Sequence, residues 1–242
     1  SLVRDQAGIE ADHIGYEQVA LTAVMTTQRF HDYVAYERFT EEGPIAILPL
    51  TDGRCGMVWT RKPAEVERML ALSDDEFLRE FQSAFGFRLG RFLRIGQRAS
   101  YNLMLSRADR HIAQRLAVVG NAAQGLHPIA GQGFNLGLRD AMSLAEVIAD
   151  RRAAGTTDPG DANLLQEYAD WRETDRRRIV AFTDGLVRLF ATPLGVLRSL
   201  RSLGILAFDV LPPAKSALAR LSVGAAERVP RLARGVPLAG IR

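Results

Sequence analysis

The chain has 242 residues, 47% of them hydrophobic and 24% charged, with a formal net charge of +3, which is an ordinary globular composition. No stretch reaches the roughly 18 uninterrupted apolar residues that a membrane-spanning helix needs, and no signal peptide is visible. The single cysteine, Cys55, excludes an internal disulfide framework and fits a reducing compartment.

The first quarter of the chain predicts a small group of strands after a short helix-like opening at residues 1–12. Residues 16–61 are rich in β-branched and aromatic residues. The predicted strands are Glu17–Thr27, His31–Thr40, Gly43–Leu50 and Cys55–Thr60. Asp52-Gly53 lies between two apolar runs and indicates a hairpin. Because Cys55 lies within a strand-like run, we interpret it as a buried structural thiol.

A helix is predicted next, beginning after Ser73. Ser73 can accept from the free amides of the first turn, and Glu76, three residues later, completes a capping box. Gly86 is expected to end this helix, and strand-like segments are expected at Arg94–Leu105. Strands interrupted by one helix predict an antiparallel sheet with helical cover.

The pattern changes after residue 115. Residues 116–119 are all apolar, as expected for a parallel strand buried on both faces. A glycine-rich loop follows, and then a long helix that is predicted to bury Leu138, Ala141, Met142, Ala145, Ile148 and Ala149. Residues 155–163 form a polar linker. Residues 164–234 have a helical pattern that is broken at Pro193 and Pro212-Pro213.

The glycine-rich loop is the stretch that most strongly suggests chemistry. It contains Gly120, Gly125, Gly131 and Gly133, and a helix is expected to begin near Gln132 or Gly133. The first-turn amides of a helix lack internal partners and favour negative charge, and glycines let a ligand approach the backbone. The loop therefore suits an anionic or electron-rich group. The alternative, from the residues alone, is a tight turn that needs glycines for geometry only.

A family resemblance favours the first interpretation. The stretch closely resembles the second FAD fingerprint of the flavoprotein aromatic hydroxylases of the p-hydroxybenzoate hydroxylase type. The positions in register are Gly120, Ala122, Pro128, Gly131, Gln132, Gly133, Asn135, Gly137 and Asp140. Glu37-Arg38-Phe39 and Gly43–Leu50 resemble substrate-domain strands of the ubiquinone-biosynthesis hydroxylases. Within that group the loop is most similar to the 2-polyprenyl-6-methoxyphenol hydroxylase type.

The resemblance implies cofactor contacts but no catalytic residue. Gly120, Asn121 and Asn135 fall in the cofactor-binding stretch, and Asn121 stands where an Asp usually contacts the ribityl chain. Pro128 would lie beside the isoalloxazine ring. The amides of Gly131, Gln132 and Gly133 would face N1 and O2 of the flavin. For His127 we favour a local hydrogen-bonding role over proton transfer, and the scattered histidines do not suggest a metal site.

The resemblance also implies a fold and a function. The expected fold class is α+β: an antiparallel substrate-domain sheet, the C-terminal part of a Rossmann-like FAD domain, and a helical tail. The expected divisions are 1–15 as an FAD-domain remnant, 16–106 as the sheet domain, 107–155 as the FAD-domain strand, loop and helix, and 164–242 as the helical region. The implied enzyme is an FAD-dependent monooxygenase that hydroxylates a polyprenylated phenol in ubiquinone biosynthesis, with NAD(P)H or another reductant as electron donor.

One fingerprint of such enzymes is missing from these 242 residues. No strand is followed by Gly-x-Gly-x-x-Gly and a helix, the element that binds a dinucleotide pyrophosphate. Ser1-Leu2-Val3-Arg4 matches the end of the family's Asp-Gly fingerprint. We therefore expect an N-terminally truncated chain that alone binds FAD weakly or not at all. The alternatives are another isoprenoid-acting flavoprotein, such as an epoxidase or reductase, and a non-catalytic component of a lipid-biosynthesis complex.

Basic residues are concentrated near the C-terminus, where residues 176–234 carry eleven Arg or Lys against three acids. Such a tail suggests an anionic surface, either a membrane or a partner from the same pathway. For Arg176-Arg177-Arg178, Arg198 and Arg201 we favour a solvated helix face over nucleic-acid binding, because no aromatic residues are interleaved. Gly195–Val210 predicts an amphipathic helix that packs on the domain or lies on a membrane. The expected location is cytoplasmic, with peripheral inner-membrane contact as an alternative.

Overall fold

The computed structural model describes residues 1–40, 42–191, 212–213, 215–216 and 228–238. The chain divides into two compact units. The first is built on Ser1–Ile14 and Leu105–Leu186, together with the described C-terminal residues, and the second is built on Gly15–Met104 with residues 187–191. The helix predicted at Gly195–Val210, with Arg198 and Arg201, lies outside the described residues.

The second unit contains an antiparallel sheet, which confirms that part of the predicted fold class. Its strands are β1 (Ala11–Thr27), β2 (Tyr36–Thr40), β3 (Gly43–Pro49), β4 (Arg54–Arg61) and β5 (Phe92–Ile95). The strands have the order β2-β3-β4-β1, and β5 also pairs with β1. Strand β1 begins in the first unit, six residues earlier than predicted.

Two turns of this sheet show how local backbone geometry sets the strand ends. The predicted hairpin between β3 and β4 is confirmed, with Asp52 at φ 59° and Gly53 at φ 67°. The predicted strand His31–Thr40 is wrong in its first half. Asp32 and Tyr33 are in the left-handed region, and the Tyr33 amide donates to Nδ1 of His31 at 3.0 Å, so this segment turns and β2 begins only at Tyr36.

Two helices, and not one, cover the sheet. Helix α2 (Pro63–Ala71) was not predicted, although Pro63 occupies the favoured first position. Helix α3 (Asp74–Phe85) has the predicted Ser73–Glu76 capping box and ends at Gly86. The strand-like segments predicted at Arg94–Leu105 are confirmed. They are divided between β5 and β6 (Ala99–Ala108).

The two faces of the sheet differ in exposure. One face packs under α2 and α3, where Trp59 makes edge contacts with Phe77 and Phe81. Cys55 is fully buried in this core, as predicted for a structural thiol, and burial raises its pKa. The other face, which we call the open face, carries two cross-strand rows whose residues are mostly part-exposed and apolar: Ala46, Val58 and Thr22, and Leu48, Gly56 and Val24.

The first unit combines short strands with two long helices. Its further elements are α1 (Leu2–Gln6), β7 (Ile112–Ala113), β8 (Leu116–Ala117), β9 (Gln124–Gly125), α4 (Gln132–Ala153) and α5 (Ala162–Ala191). Strand β6 pairs antiparallel with β9. The prediction of a parallel strand at 116–119 is wrong. Strand β8 pairs antiparallel with β7 through a tight turn in which Arg115 has φ 59°.

The described C-terminal residues pack on the first unit. Arg231 pairs with Glu146 and Asp150 of α4. The guanidinium of Arg228 stacks 3.9 Å from the ring centre of Trp171 in α5, whose indole N–H donates to the Arg228 carbonyl. This part of the basic tail thus neutralises acids of its own unit. In the described part of the chain, no helix combines the length and apolarity needed to cross a bilayer.

Candidate functional site

The glycine-rich loop connects β9 to α4 through one turn of 3₁₀ helix at Ile129–Gly131. Gly131 has φ 60°, a conformation that favours glycine, and its N–H donates to the Pro128 carbonyl at 3.0 Å. Helix α4 begins at Gln132, as predicted. The loop is therefore a compact turn whose end is the start of a long helix.

The buried side chain of His127 stabilises this turn through a local hydrogen bond. Its side chain is buried, and Nδ1 accepts from the Ile129 N–H at 3.2 Å. Burial lowers the pKa of His127 to about 4, so the ring is neutral at neutral pH. The local hydrogen bond expected for His127 is confirmed.

The expected row of free amides needs one correction. The amides of Ile129 and Gly131 are bonded within the loop, to His127 and to the Pro128 carbonyl, so the Gly131 amide does not face a ligand. The amides that remain as candidates for contact with a ligand are those in the first turn of α4. The N-cap residue of that helix is Gly131, which has no side chain that could cap the first turn. An added Cβ at Gly133 would have no neighbour within 4 Å, so the helix start is open on that side.

The other predicted cofactor residues lie on the same loop and helix start. Asn121, Pro128, Gly131 and Asn135 are exposed, Gly120 and Gly133 are half-buried, and Gln132 is buried. Gly120 has φ 62° and begins a 3₁₀ turn. An added Cβ at Gly137 in α4 would lie 2.9 Å from the Gly120 Cα, so the helix and this turn are in direct backbone contact.

A buried ion network lies behind the loop. Gln124 Nε2 donates to Asp140 Oδ2 at 2.9 Å, and Arg172 Nε donates to Asp140 Oδ1 at 2.8 Å. Arg172 and Arg139 both pair with Asp175, at 2.6 and 3.0 Å. All five side chains are buried. The network therefore joins β9, α4 and α5 through charged groups that water does not reach.

The network continues to Arg176, whose predicted location on a solvated helix face is wrong. Arg176 is 3% exposed, and its Nη2 donates to the Tyr168 hydroxyl at 2.7 Å. Burial raises the pKa of Tyr168 to about 12, so the phenol is neutral. Burial and the Arg176 charge lower the pKa of His111 to about 4. The neighbouring Arg177 and Arg178 are exposed.

Sequence reasoning missed this network because it assigned α4 the wrong face. The predicted apolar face contains Leu138, which is 43% exposed, while Arg139, Asp140 and Glu146 are buried. A signal was present in α5. Arg172, Asp175 and Arg176 continue, at helical spacing, the face that begins with Leu164, Leu165 and Tyr168. Charges of both signs on an otherwise apolar face indicate buried pairs.

With this geometry in place, comparisons identify the family. The family profile described as "FAD binding domain" matches residues 1–183. The chain belongs to this family. The open glycine positions and the uncapped start of α4 fit the cofactor, because a flavin needs close access to backbone N–H groups and a Cβ at Gly133 would fill that space. Membership in the FAD-binding family thus agrees with the predicted family and fold.

Two relatives of the chain have names that refer to ubiquinone or its biosynthesis. Ubiquinone hydroxylase UbiL of Rhodospirillum rubrum is 42% identical over 241 residues, which cover 98% of this chain and 56% of that protein. Ubiquinone biosynthesis monooxygenase COQ6 of Caenorhabditis elegans is 30% identical over 255 residues, covering 90% of this chain and 56% of that protein. The chain therefore spans little more than half the length of these relatives.

A solved structure supports the fold. The p-nitrophenol 4-monooxygenase PnpA of Pseudomonas putida aligns with a TM-score of 0.70 at 18% identity. The alignment covers 94% of this chain and 58% of PnpA. At this identity the likeness concerns the fold alone. It agrees with a mixed arrangement of helices and antiparallel sheet.

Proposed function

We propose that the protein containing this chain is an FAD-dependent monooxygenase that hydroxylates the aromatic ring of a polyprenylated phenol in ubiquinone biosynthesis. The observation that carries the proposal is the open, uncapped start of α4 behind a glycine turn, in a chain of the FAD-binding family. The names of UbiL and COQ6 support the substrate class and the pathway.

In this proposal the loop holds the flavin end of the cofactor. Asn121 contacts the ribityl chain, Pro128 lies beside the ring system, and the first turn of α4 from Gly133 faces the pyrimidine edge. Main-chain N–H groups and the helix dipole favour negative charge at that edge. When bound and reduced by NAD(P)H or another donor, FAD supplies the activation of dioxygen.

The open face of the second unit's sheet is the proposed contact for the apolar substrate. Leu48 and Val24 are 44% and 40% exposed on either side of Gly56, which leaves a shallow notch between them. Over β3, β4 and β1 the two rows carry no charged residue, and Glu37 of β2 lies at one end, paired with Ala46. Such a surface suits an aromatic ring with an isoprenoid chain.

We further propose a cytoplasmic enzyme that meets its substrate at the inner membrane. A polyprenylated phenol resides in lipid, and the basic C-terminal region favours an anionic surface. Sedimentation with vesicles containing anionic lipid at low salt tests this contact. Retention that disappears at high salt is expected, and absence of retention at low salt contradicts the membrane contact.

The decisive experiment uses the complete gene product that contains this chain. Purified protein is expected to carry flavin absorbance and to oxidise NAD(P)H faster when a prenylated methoxyphenol is added, with one oxygen atom appearing on the ring. Oxygen on the isoprenoid chain would indicate an epoxidase, and loss of a double bond would indicate a reductase. Protein without flavin and without turnover would contradict the enzyme assignment.

A further inference from the structure

We infer that Gln124 is a positioning residue for the FAD-binding loop, acting through a buried hydrogen bond that joins the strand before the loop to the helix after it. Gln124 lies in β9, just before the loop, and Asp140 lies in α4, about two turns beyond the helix start. Their 2.9 Å bond is buried, with the two residues 4% and 0% exposed. The inference rests on the proposed role of this loop in holding FAD.

Asp140 is a fixed acceptor for this bond. Its second oxygen, Oδ1, accepts from Arg172 Nε at 2.8 Å, and Arg176 Nε lies 3.4 Å away. Arg172 is in turn held by Asp175. Because two arginines of α5 hold the carboxylate, the Asp140 side chain cannot rotate freely. Gln124 is therefore bonded to a fixed acceptor.

The bond constrains the stretch that would touch the cofactor. Residues 125–131 leave β9, pass through the His127–Ile129 bond and the Pro128–Gly131 bond, and enter α4. Those two contacts are local and close only small rings. The Gln124–Asp140 bond spans 16 residues and sets the distance between the strand and the helix. Without it, the turn is held only by these two local bonds, and its position relative to α4 is less well defined.

Gln124→Leu removes this bond and leaves the buried Asp140 Oδ2 without that donor, while Oδ1 keeps Arg172 and Arg176 as partners. The Gln124 Oε1, which has no hydrogen-bond partner among the described residues, is removed with the amide. Because one buried acceptor loses its donor, we expect the variant to fold with a melting temperature lowered by about ten degrees or less. Amide hydrogen exchange at Ile129 and Gly131, whose N–H groups are bonded within the loop, is expected to accelerate at least about tenfold in the 242-residue chain, because the loop then opens more often.

Gln166→Leu is the matched control. Gln166 Nε2 donates to Asp170 Oδ1 at 2.8 Å, the same chemistry in the same unit, but on an exposed face of α5. Its loss is expected to leave exchange in residues 126–134 unchanged. Gln124→Glu places a second carboxylate beside Asp140 and is expected to accelerate exchange as Gln124→Leu does.

Cofactor affinity separates this inference from the proposed function. In the complete gene product, Gln124→Leu is expected to weaken FAD binding at least about tenfold, measured by flavin fluorescence, while Gln166→Leu leaves it unchanged. Unchanged exchange and unchanged affinity in Gln124→Leu would overturn the positioning role. If the unsubstituted protein binds no FAD, the proposed function fails, while the exchange experiment still decides whether Gln124 restrains the loop.

Discussion

Gly137 of α4 lies directly against Gly120, with the ideal Cβ position of Gly137 only 2.9 Å from the Gly120 Cα. The neighbour is backbone, so it cannot move aside as a flexible side chain could. Gly120 itself has φ 62° and turns the chain toward the exposed Asn121. The contact sets how closely α4 approaches the first turn of the proposed cofactor site.

Gly137→Ala is therefore expected to destabilise the first unit. Overpacking costs about 1–3 kcal/mol, and the better helix propensity of Ala offsets only about 1 kcal/mol. Gly185→Ala is the control, because Gly185 lies in α5 with no atom near an added Cβ and should gain up to about 1 kcal/mol. Urea unfolding of both variants measures the difference. Equal stabilities would show that the two backbones separate without cost.

Gly133→Ala tests the site without disturbing packing. An added Cβ at Gly133 has no neighbour within 4 Å, so the free energy of unfolding should stay the same or rise. In the complete gene product the methyl group would occupy space proposed for the flavin, and FAD affinity is expected to fall about tenfold or more. Fluorescence titration with FAD measures the effect. Undiminished affinity would place the cofactor away from this helix start.

The lowered pKa of His127 predicts that the folded state loses stability in acid. Its pKa is lowered from 6.5 to about 4 by burial, so the folded state holds the neutral ring while the unfolded state takes up a proton. The stabilising contribution is complete above pH 6.5 and is lost as the pH falls toward 4, by on the order of 3 kcal/mol. His127→Asn keeps an acceptor for the Ile129 N–H but does not titrate. Its unfolding free energy should fall less steeply between pH 6.5 and 4, and an identical slope would contradict this origin.

Gly56→Leu probes the open face of the sheet. The nearest side-chain atom to an added Cβ is Leu50 Cδ1 at 3.7 Å, an ordinary contact, so the variant should fold. A leucine in the notch between Leu48 and Val24 is expected to raise the KM for a prenylated phenol about tenfold and leave FAD affinity unchanged. Gly15→Leu, at a strand glycine with open surroundings, is the control. Equal KM values in both variants would remove the open face from substrate binding.

Arg172→Met tests the buried network. The substitution leaves Asp140 and Asp175 buried without their shared cation, which typically costs about 3–5 kcal/mol. Arg177→Met removes an exposed pair with Glu173 in the same helix and should cost well under about 1 kcal/mol. Thermal unfolding of the two variants gives the comparison. A small effect for Arg172→Met would mean that water replaces the guanidinium.

Local signals predicted much of the fold, because they depend on residues close in sequence. The Ser73–Glu76 capping box, the Asp52-Gly53 turn and the start of α4 at Gln132 all appear as expected. The prediction for β2 was wrong where His31 bonds to the backbone of Tyr33 and Leu50 and replaces strand pairing. Propensity contains no information about such side-chain bonds to the backbone.

The candidate site was predictable in its location and less so in its detail. The glycines marked the loop, but the bond from Gly131 to the Pro128 carbonyl follows from the 3₁₀ turn, which the pattern does not specify. The role of Asp140 depends on Gln124 and Arg172, which are 16 and 32 residues away. Partners at such separations are brought together by the tertiary fold alone.

The lone thiol of the chain has a practical consequence. Cys55 is fully enclosed beneath α2 and α3, so a thiol reagent can modify it only after the sheet unit opens. The rate of thiol modification under native conditions therefore measures that opening. No engineered label is needed, and no other thiol of the chain contributes to the signal. Cys55 is therefore a natural probe of how often the second unit opens.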